Sequence, residues 1–194
     1  DKFLFSGKLN NQETIIEKND IKNFFDDDFL AFDFQKIIFS SISNFGFDLD
    51  KKFRLTNLNI NTEIQLNNLE FKNSLKLKFF FPKIKENIKL EVHLIKLNYD
   101  KQKLSISGKG NVFIQDELDQ IKYEVIKNKK ETNFNAILNI SKNTFLIDFL
   151  NFQKLENSNL ELKIKGKKKL KKDLIFDQIS LKENDNLIFG KKLI

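Results

Sequence analysis

The feature that most constrains this fold is a nine-residue stretch in which apolar and polar side chains alternate without interruption. Residues 58–66 carry Leu, Ile, Thr, Ile and Leu at even positions and Asn, Asn, Glu and Gln at odd positions. Successive side chains of a β-strand point to opposite faces, whereas a helix with this composition would scatter its amides and its carboxylate around its whole surface. The stretch therefore predicts a β-strand with one apolar face.

The same alternation recurs along the chain between short polar turns. The periodicity slips by one residue at Asn57 and again at Ile95, which indicates β-bulges. Alanine is scarce, whereas isoleucine, phenylalanine and asparagine are abundant, and this composition favours strands over helices. We therefore expect an all-β fold: a long antiparallel β-meander forming a curved, groove-like or taco-shaped sheet, with at most one short helix near residues 20–26.

No break in composition marks a second domain, so residues 1–194 are expected to form a single β domain, less regular over residues 1–45 and more regular over residues 46–194. The chain begins at Asp1 and contains no methionine. We expect it to be an internal fragment of a longer chain. No apolar run approaches the roughly 18 residues of a membrane-spanning helix, so any membrane anchor is expected outside this sequence.

The net charge of +7 is carried almost wholly by lysine, because Arg54 is the single arginine. Nucleic-acid readers rely on arginine for bidentate contacts, so no nucleic-acid partner is expected. The sharpest basic run spans residues 165–172. It fits either a solvated hairpin loop or a contact with anionic lipid headgroups, and the candidate contact residues are Lys167, Lys168, Lys169, Lys171 and Lys172.

Residues with catalytic or metal-binding chemistry are few. The chain has no cysteine, and its single histidine, His93, shares parity with the polar residues Lys89 and Glu91, which predicts a solvated position. The acidic clusters at 26–28 and 116–119 lack the spacing of a calcium loop and are interpreted as a loop and a hairpin turn. We expect no enzyme activity, no catalytic residue, no metal and no cofactor.

The segment Gly108-Lys109-Gly110 resembles part of a phosphate-binding loop, but no Ser or Thr follows a Gly-Lys pair and the next residues favour a strand. We interpret the two glycines as a bulge or as a place where the sheet lies close to another segment.

An extended apolar sheet face must be covered by a second sheet, closed on itself or filled by an apolar ligand. Long bulged strands suit the third solution as well as the first. The alternation assigns a candidate set of residues that line such a groove or pack in such a core: Leu58, Ile60, Ile64, Leu66, Leu75, Leu77, Ile88, Leu90, Val92, Leu94, Leu104, Ile106, Val112 and Ile114.

Residues 47–60 (FDLDKKFRLTNLNI), 104–110 (LSISGKG) and 145–152 (FLIDFLNF) resemble bacterial AsmA-like envelope proteins, particularly the YhdP and TamB type. That resemblance implies a periplasmic β-groove, anchored in the inner membrane outside this fragment, that moves phospholipid toward the outer membrane. Its implied partners are phospholipid acyl chains and neighbouring segments of the same long chain, and it supplies no catalytic residue.

The leading hypothesis is thus a lipid-binding or lipid-conducting groove segment of a periplasm-spanning envelope protein. The alternative, from a different class, is a structural or adhesive β-sandwich that acts through protein–protein contacts.

Overall fold

The computed structural model describes residues 2–18, 33–73, 77–155, 157–169 and 174–192. They form an all-β fold dominated by one ten-stranded antiparallel sheet that is not closed into a barrel, which confirms the predicted meander. The strands are β1 (Phe3–Glu17), β2 (Phe34–Leu49), β3 (Leu55–Lys72), β4 (Asn87–Asp100), β5 (Lys103–Phe113), β6 (Asp119–Lys127), β7 (Glu131–Ile140), β8 (Leu146–Ile147), β9 (Phe152–Gln153), β10 (Leu160–Lys169), β11 (Leu174–Glu183) and β12 (Asn186–Lys192).

Each strand of the large sheet pairs with the next along the chain, except that β7 pairs with β10, since β8 and β9 form a separate small hairpin. The meander consequently has two different ends. The turns β2–β3, β4–β5 and β6–β7, and the adjoining ends of β10 and β11, lie at one end, which we call the turn end. The connections β3–β4, β5–β6, β7–β10 and β11–β12 lie at the other end, which we call the closed end.

Two insertions pack onto one face of the sheet at the closed end. The first is residues 77–86, which include the 3-10 turn Leu77–Phe79, and the second is residues 141–159, described except at position 156. Their rings and aliphatic side chains join buried strand residues in a single core cluster: Phe81, Ile88, Val112, Ile114, Ile140, Phe145, Ile147, Leu160 and Leu181.

Hydrogen bonds tie the two insertions to each other and to the β5–β6 turn. The Leu146 amide donates to the Phe80 carbonyl at 3.1 Å, and the Lys85 amide donates to the Ile114 carbonyl at 3.0 Å. The buried Gln115 side chain bridges both insertions, accepting from the Lys83 amide at 3.1 Å and donating to the Thr144 carbonyl at 2.7 Å. Since buried amides need partners, these bonds fix the insertions over the sheet.

β-Bulges interrupt the ladder at neighbouring places in the first four strands. The register shifts between Asn11 and Thr14 of β1, and β3 has an extra residue, Asn67, opposite β2. In β4, Val92 adopts a positive φ of 52° where two residues oppose one residue of β5. Extra residues of this kind increase twist and bend the sheet.

Glycines lie beneath aromatic rings of neighbouring strands on the face that carries the core. Gly108 is directly opposite Tyr123, and Gly166 is directly opposite Phe134. An added Cβ at Gly108 would lie 2.4 Å from the Tyr123 ring, and one at Gly166 would lie 2.6 Å from the Phe134 ring. Each ring thus covers the backbone of a glycine, which has no side chain of its own to shield it from water. Such cross-strand pairs of an aromatic residue and a glycine stabilise glycines within strands. The interpretation of Gly108 as a site of close approach agrees with this packing.

Several sequence expectations differ from the structure. Within residues 1–45, the described residues belong to the long strands β1, which continues through its bulge to Glu17, and β2. Leu77, which alternation assigned to the lining, lies in the 3-10 turn Leu77–Phe79, because these residues cross over the sheet as part of the first insertion. The proposed helix near 20–26 and the cluster at 26–28 lie outside the described residues.

We predict that Gly108→Ala destabilises the fold by about 1–3 kcal/mol, because the new methyl group overlaps the Tyr123 ring and forces it to move. Urea unfolding measures the change. The control is Gly190→Ala, where the nearest neighbour of the added Cβ is the Leu187 side chain at 3.4 Å, so the change is within about 0.5 kcal/mol. Equal losses in Gly108→Ala alone and in a Tyr123→Ala background would contradict the proposed overlap.

Candidate functional site

The register of the ladder places a mainly apolar set of residues on the side of the sheet that carries the core, with Ser41, Ser43 and Thr62 among them. Directly opposed residues share a face, and alternate residues along each strand return to it. We call this surface the apolar face. Away from the closed end its members include Phe5, Phe45, Phe47, Ile60, Ile64, Ile95, Leu97, Tyr99, Leu104, Ile106, Tyr123, Val125, Ala136, Phe134, Ile164, Ile179 and Phe176.

The apolar face is enclosed at one end and accessible over the rest. At the closed end, Ile140 and Leu160 have no more than 1% of their surface exposed, whereas Ile60, Ile106 and Ile164 in the middle of the sheet are only half-buried. Toward β1 the exposed fraction rises further, to 47% for Phe5 and 62% for Leu9. The structure therefore presents an apolar surface that a second layer covers only at the closed end.

The opposite side of the sheet is polar. Along β3 it carries Asn59, Asn61, Glu63 and Gln65, all exposed. A shallow depression of about 480 Å³ lies on this side, lined by polar residues from four strands together with exposed aliphatic groups. Among the described residues, no group of three or more His, Cys, Asp or Glu side chains is placed to hold a metal ion.

The predicted lining residues separate into three groups. Leu58, Ile60, Ile64, Leu104 and Ile106 lie half-buried on the accessible part of the apolar face. Leu66 is buried near the bulges, and Ile88, Leu90, Val112 and Ile114 belong to the core of the closed end or pack against it. Leu77 packs against the same core from the first insertion, and Leu75 lies outside the described residues.

Val92 and Leu94 require a correction, because they lie on the polar side rather than on the apolar face. The bulge in β4 adds one residue between Glu91 and Leu94, so the face that carried even positions carries odd positions beyond it. Val92 and Leu94 are 59% and 52% exposed. Simple alternation through residues 88–94 therefore assigned both to the wrong face.

The same bulge overturns the prediction for His93, which is buried on the apolar face instead of solvated. Its ring covers Gly110 and lies 6.0 Å from the Tyr123 ring. Nε2 donates to the Asn111 carbonyl at 2.9 Å, and the buried Nδ1 has no hydrogen-bond partner in the described structure. Burial lowers the pKa of His93, because the charged ring would lose its hydration.

Asp119 is the buried acidic group at the closed end, where the sequence suggested only a turn. Its Oδ2 accepts from Asn143 Nδ2 at 2.8 Å, and the Asn143 amide group also bonds the backbone of Glu117. Burial raises the pKa of Asp119 to about 6, despite the hydrogen bonds from Asn143 and the Ser141 amide, which lower it. Lys154, also buried, lies near enough to favour the ionised form of the carboxylate.

The basic residues proposed for headgroup contact lie at the turn end. β10 continues to Lys169, so Lys167, Lys168 and Lys169 are strand residues rather than loop residues, and Lys167 forms an ion pair with Asp177 at 3.4 Å. Lys171 and Lys172 are outside the described residues.

Comparison with protein-family models, with curated proteins and with solved structures finds no match. No helix within the described ranges is long and apolar enough to cross a membrane.

The two buried titratable groups affect stability in opposite directions. The folded-state pKa of Asp119 is raised, so its contribution to stability is fully present below pH 3.8 and is lost as the pH rises through about 6. The folded-state pKa of His93 is lowered, so stability is lost as the pH falls below 6.5, where the unfolded chain takes up a proton. Between about pH 4 and 6.5 the two effects oppose each other.

We predict that separate substitutions reveal these opposite slopes in urea unfolding between pH 4.5 and 7.5. His93→Gln leaves the Asp119 effect, so stability rises as the pH falls, by up to about 3 kcal/mol for a shift of this size. Asp119→Asn leaves the His93 effect, so stability decreases over the same range. Identical pH profiles for the two variants would contradict the assignments.

Proposed function

We propose that the apolar face binds lipid acyl chains and that the chain is a lipid-binding or lipid-conducting β-groove segment. The observation that carries the proposal is the continuity of this face across the sheet while only the closed end is covered. A contiguous apolar surface of this extent marks a site of interaction, because exposing apolar surface to water is unfavourable in free energy. The placement of the protein in a bacterial envelope rests on the resemblance of residues 47–60, 104–110 and 145–152 and is part of the proposal.

The dimensions of the face suit acyl chains. The accessible part of β3, residues 55–65, has 11 residues and is about 36 Å long at roughly 3.3 Å per residue. One acyl chain spans about 15 Å, half the thickness of the hydrocarbon core of a bilayer. The accessible face therefore has room for about two acyl chains in a row along the strands, while polar headgroups remain at its exposed margins.

The glycine–aromatic pairs support this use of the surface. Where Tyr123 and Phe134 lie over Gly108 and Gly166, the rings cover the neighbouring strand instead of standing away from it. A lipid chain needs an even apolar surface rather than deep pockets with fixed polar groups, because its methylene groups offer nothing for such groups to recognise.

A second candidate function is a structural module whose apolar face is covered by another protein. The observation that favours it is the edge strand β1, in which Phe3, Leu4 and Phe5 are 54%, 79% and 47% exposed. A long edge strand with apolar side chains is a template for pairing with another strand. This candidate predicts a protein partner and no bound lipid.

Mass spectrometry of the purified chain tests the proposal, and phospholipid is expected to co-purify. Ile60→Asp is expected to reduce the bound lipid at least fivefold, because a carboxylate in the middle of the apolar face must lose hydration when an acyl chain covers it. Circular dichroism and urea unfolding establish that the variant remains folded.

Val92→Asp is the matched control, since it introduces the same carboxylate in place of an aliphatic residue on the polar side. Its bound lipid is expected to equal that of the wild type. Absence of lipid from the wild type, or equal loss in both variants, would contradict lipid binding on the apolar face.

A further inference from the structure

The meander brings basic residues from distant parts of the sequence to the turn end. The sequence alone shows one lysine-rich run, but pairing places three lysine-bearing turns and the lysine-bearing end of β10 side by side. With neighbouring strands about 4.8 Å apart, these four groups are spaced by about 10 Å and span about 30 Å. Their basic residues are Lys51, Lys52, Arg54, Lys101, Lys103, Lys127, Lys129, Lys130, Lys167, Lys168 and Lys169.

The turn end carries more basic than acidic side chains. Among its described residues, five carboxylates, those of Asp48, Asp50, Asp100, Glu131 and Asp177, face the eleven basic residues named above. Arg54 pairs with Asp50 and Lys167 pairs with Asp177, but Lys52, Lys129 and Lys130 form no ion pair within the described part of the chain. The turn end therefore has an excess of positive charge.

Exposed apolar side chains accompany these lysines. Phe53 at the tip of the β2–β3 turn is 75% exposed, and Leu55 beside it is 54% exposed. Phe3 of β1 stacks on Phe53 with ring centroids 6.3 Å apart and is itself 54% exposed. The turn end thus combines a basic row with apolar side chains that extend into solvent.

The β2–β3 turn holds Phe53 in a costly conformation. Phe53 has a φ of 58°, in the left-handed region that a bulky residue rarely adopts. Asp50 fixes the turn: its side chain accepts from the Lys52 amide at 2.8 Å and from the Arg54 amide at 3.0 Å, and the Arg54 guanidinium pairs with it at 2.7 Å. The turn therefore presents a large ring to solvent where Asn or Gly would fit with less strain.

We propose that the turn end docks on an anionic membrane surface, with its lysines against the headgroups and Phe53 and Phe3 inserted at the interface. Lysine rows attract anionic lipid, and exposed aromatic and aliphatic side chains add an apolar contribution that a polyanion in water cannot provide. A nucleic acid fits less well, because one arginine among these residues offers little bidentate phosphate contact. This docking goes beyond lipid binding by the apolar face and concerns a different surface.

Flotation with vesicles tests the docking directly. The purified chain is mixed with vesicles of phosphatidylcholine alone or of phosphatidylcholine and phosphatidylglycerol, at low and at physiological salt. We expect binding to the anionic vesicles, weakened by salt, and at least tenfold weaker binding to the neutral ones. Each lysine near an anionic surface changes partitioning by about fivefold.

Two pairs of matched variants locate the surface. The triple variant Lys52→Gln/Lys129→Gln/Lys130→Gln is expected to reduce anionic-vesicle binding by at least tenfold, whereas Lys78→Gln/Lys83→Gln/Lys182→Gln, with the same charge change away from the turn end, leaves it unchanged. Phe53→Asn introduces a residue that tolerates the positive φ of this turn, and it is expected to reduce anionic-vesicle binding severalfold. Phe149→Asn removes a ring that is 79% exposed at the closed end and has no effect.

Equal losses in the two triple variants, or equal binding to neutral and anionic vesicles, would overturn the docking. Binding of the wild type to a nucleic-acid duplex, lost in the first triple variant and without vesicle binding, would instead identify a nucleic-acid partner. Co-purifying lipid measures the apolar face separately, so failure at either surface is recognised without ambiguity.

Discussion

The structure depends on one constraint: alternating side chains must stay in register across ten antiparallel strands so that every apolar set reaches the same face. A slip of one residue in any strand would place its apolar residues in water and its polar residues among them. The bulges do not break this rule, because each extra residue is accommodated locally. In β4, Leu90 and Ile95 lie on the same face although their positions differ by five, an odd number. The apolar face is therefore continuous on both sides of the bulges.

The two ends of that face, along the strand direction, differ in how far they are covered. At the closed end, Phe81 and Phe145 from the insertions complete a core in which apolar side chains are buried, and Gln115 links the insertions through both ends of its amide. At the turn end no comparable cover is present among the described residues, and the side chains there include the exposed Phe53 and a row of lysines. The architecture that supports acyl-chain binding along the face thus also distinguishes a sealed end from an end suited to a membrane surface.

Much of the fold follows from the sequence because local patterning and strand pairing agree. Alternation identified β3 and predicted a bulge at Asn57, where the register against β2 shifts and φ is positive, and the polar spacers identified the hairpins. The faces on which Val92, Leu94 and His93 lie could not be predicted from the sequence. Beyond a bulge, odd and even positions exchange faces, and the exchange begins at the residue with the left-handed conformation. Here that residue is Val92, and valine is not a residue type that indicates such a conformation. The row of lysines at the turn end also required the topology, because it joins residues that are far apart in sequence.

The most direct test of the account uses the absence of cysteine, which allows a single label at any chosen position. A fluorophore is attached to one introduced cysteine at position 60, 106 or 164 on the apolar face, or at 61, 107 or 165 on the polar side, and phospholipid with a nitroxide in its acyl chain is added. We predict strong quenching at the first three positions and weak quenching at the second three. Equal quenching at both sets, or none at either, would contradict an acyl-chain surface formed by one face of the sheet.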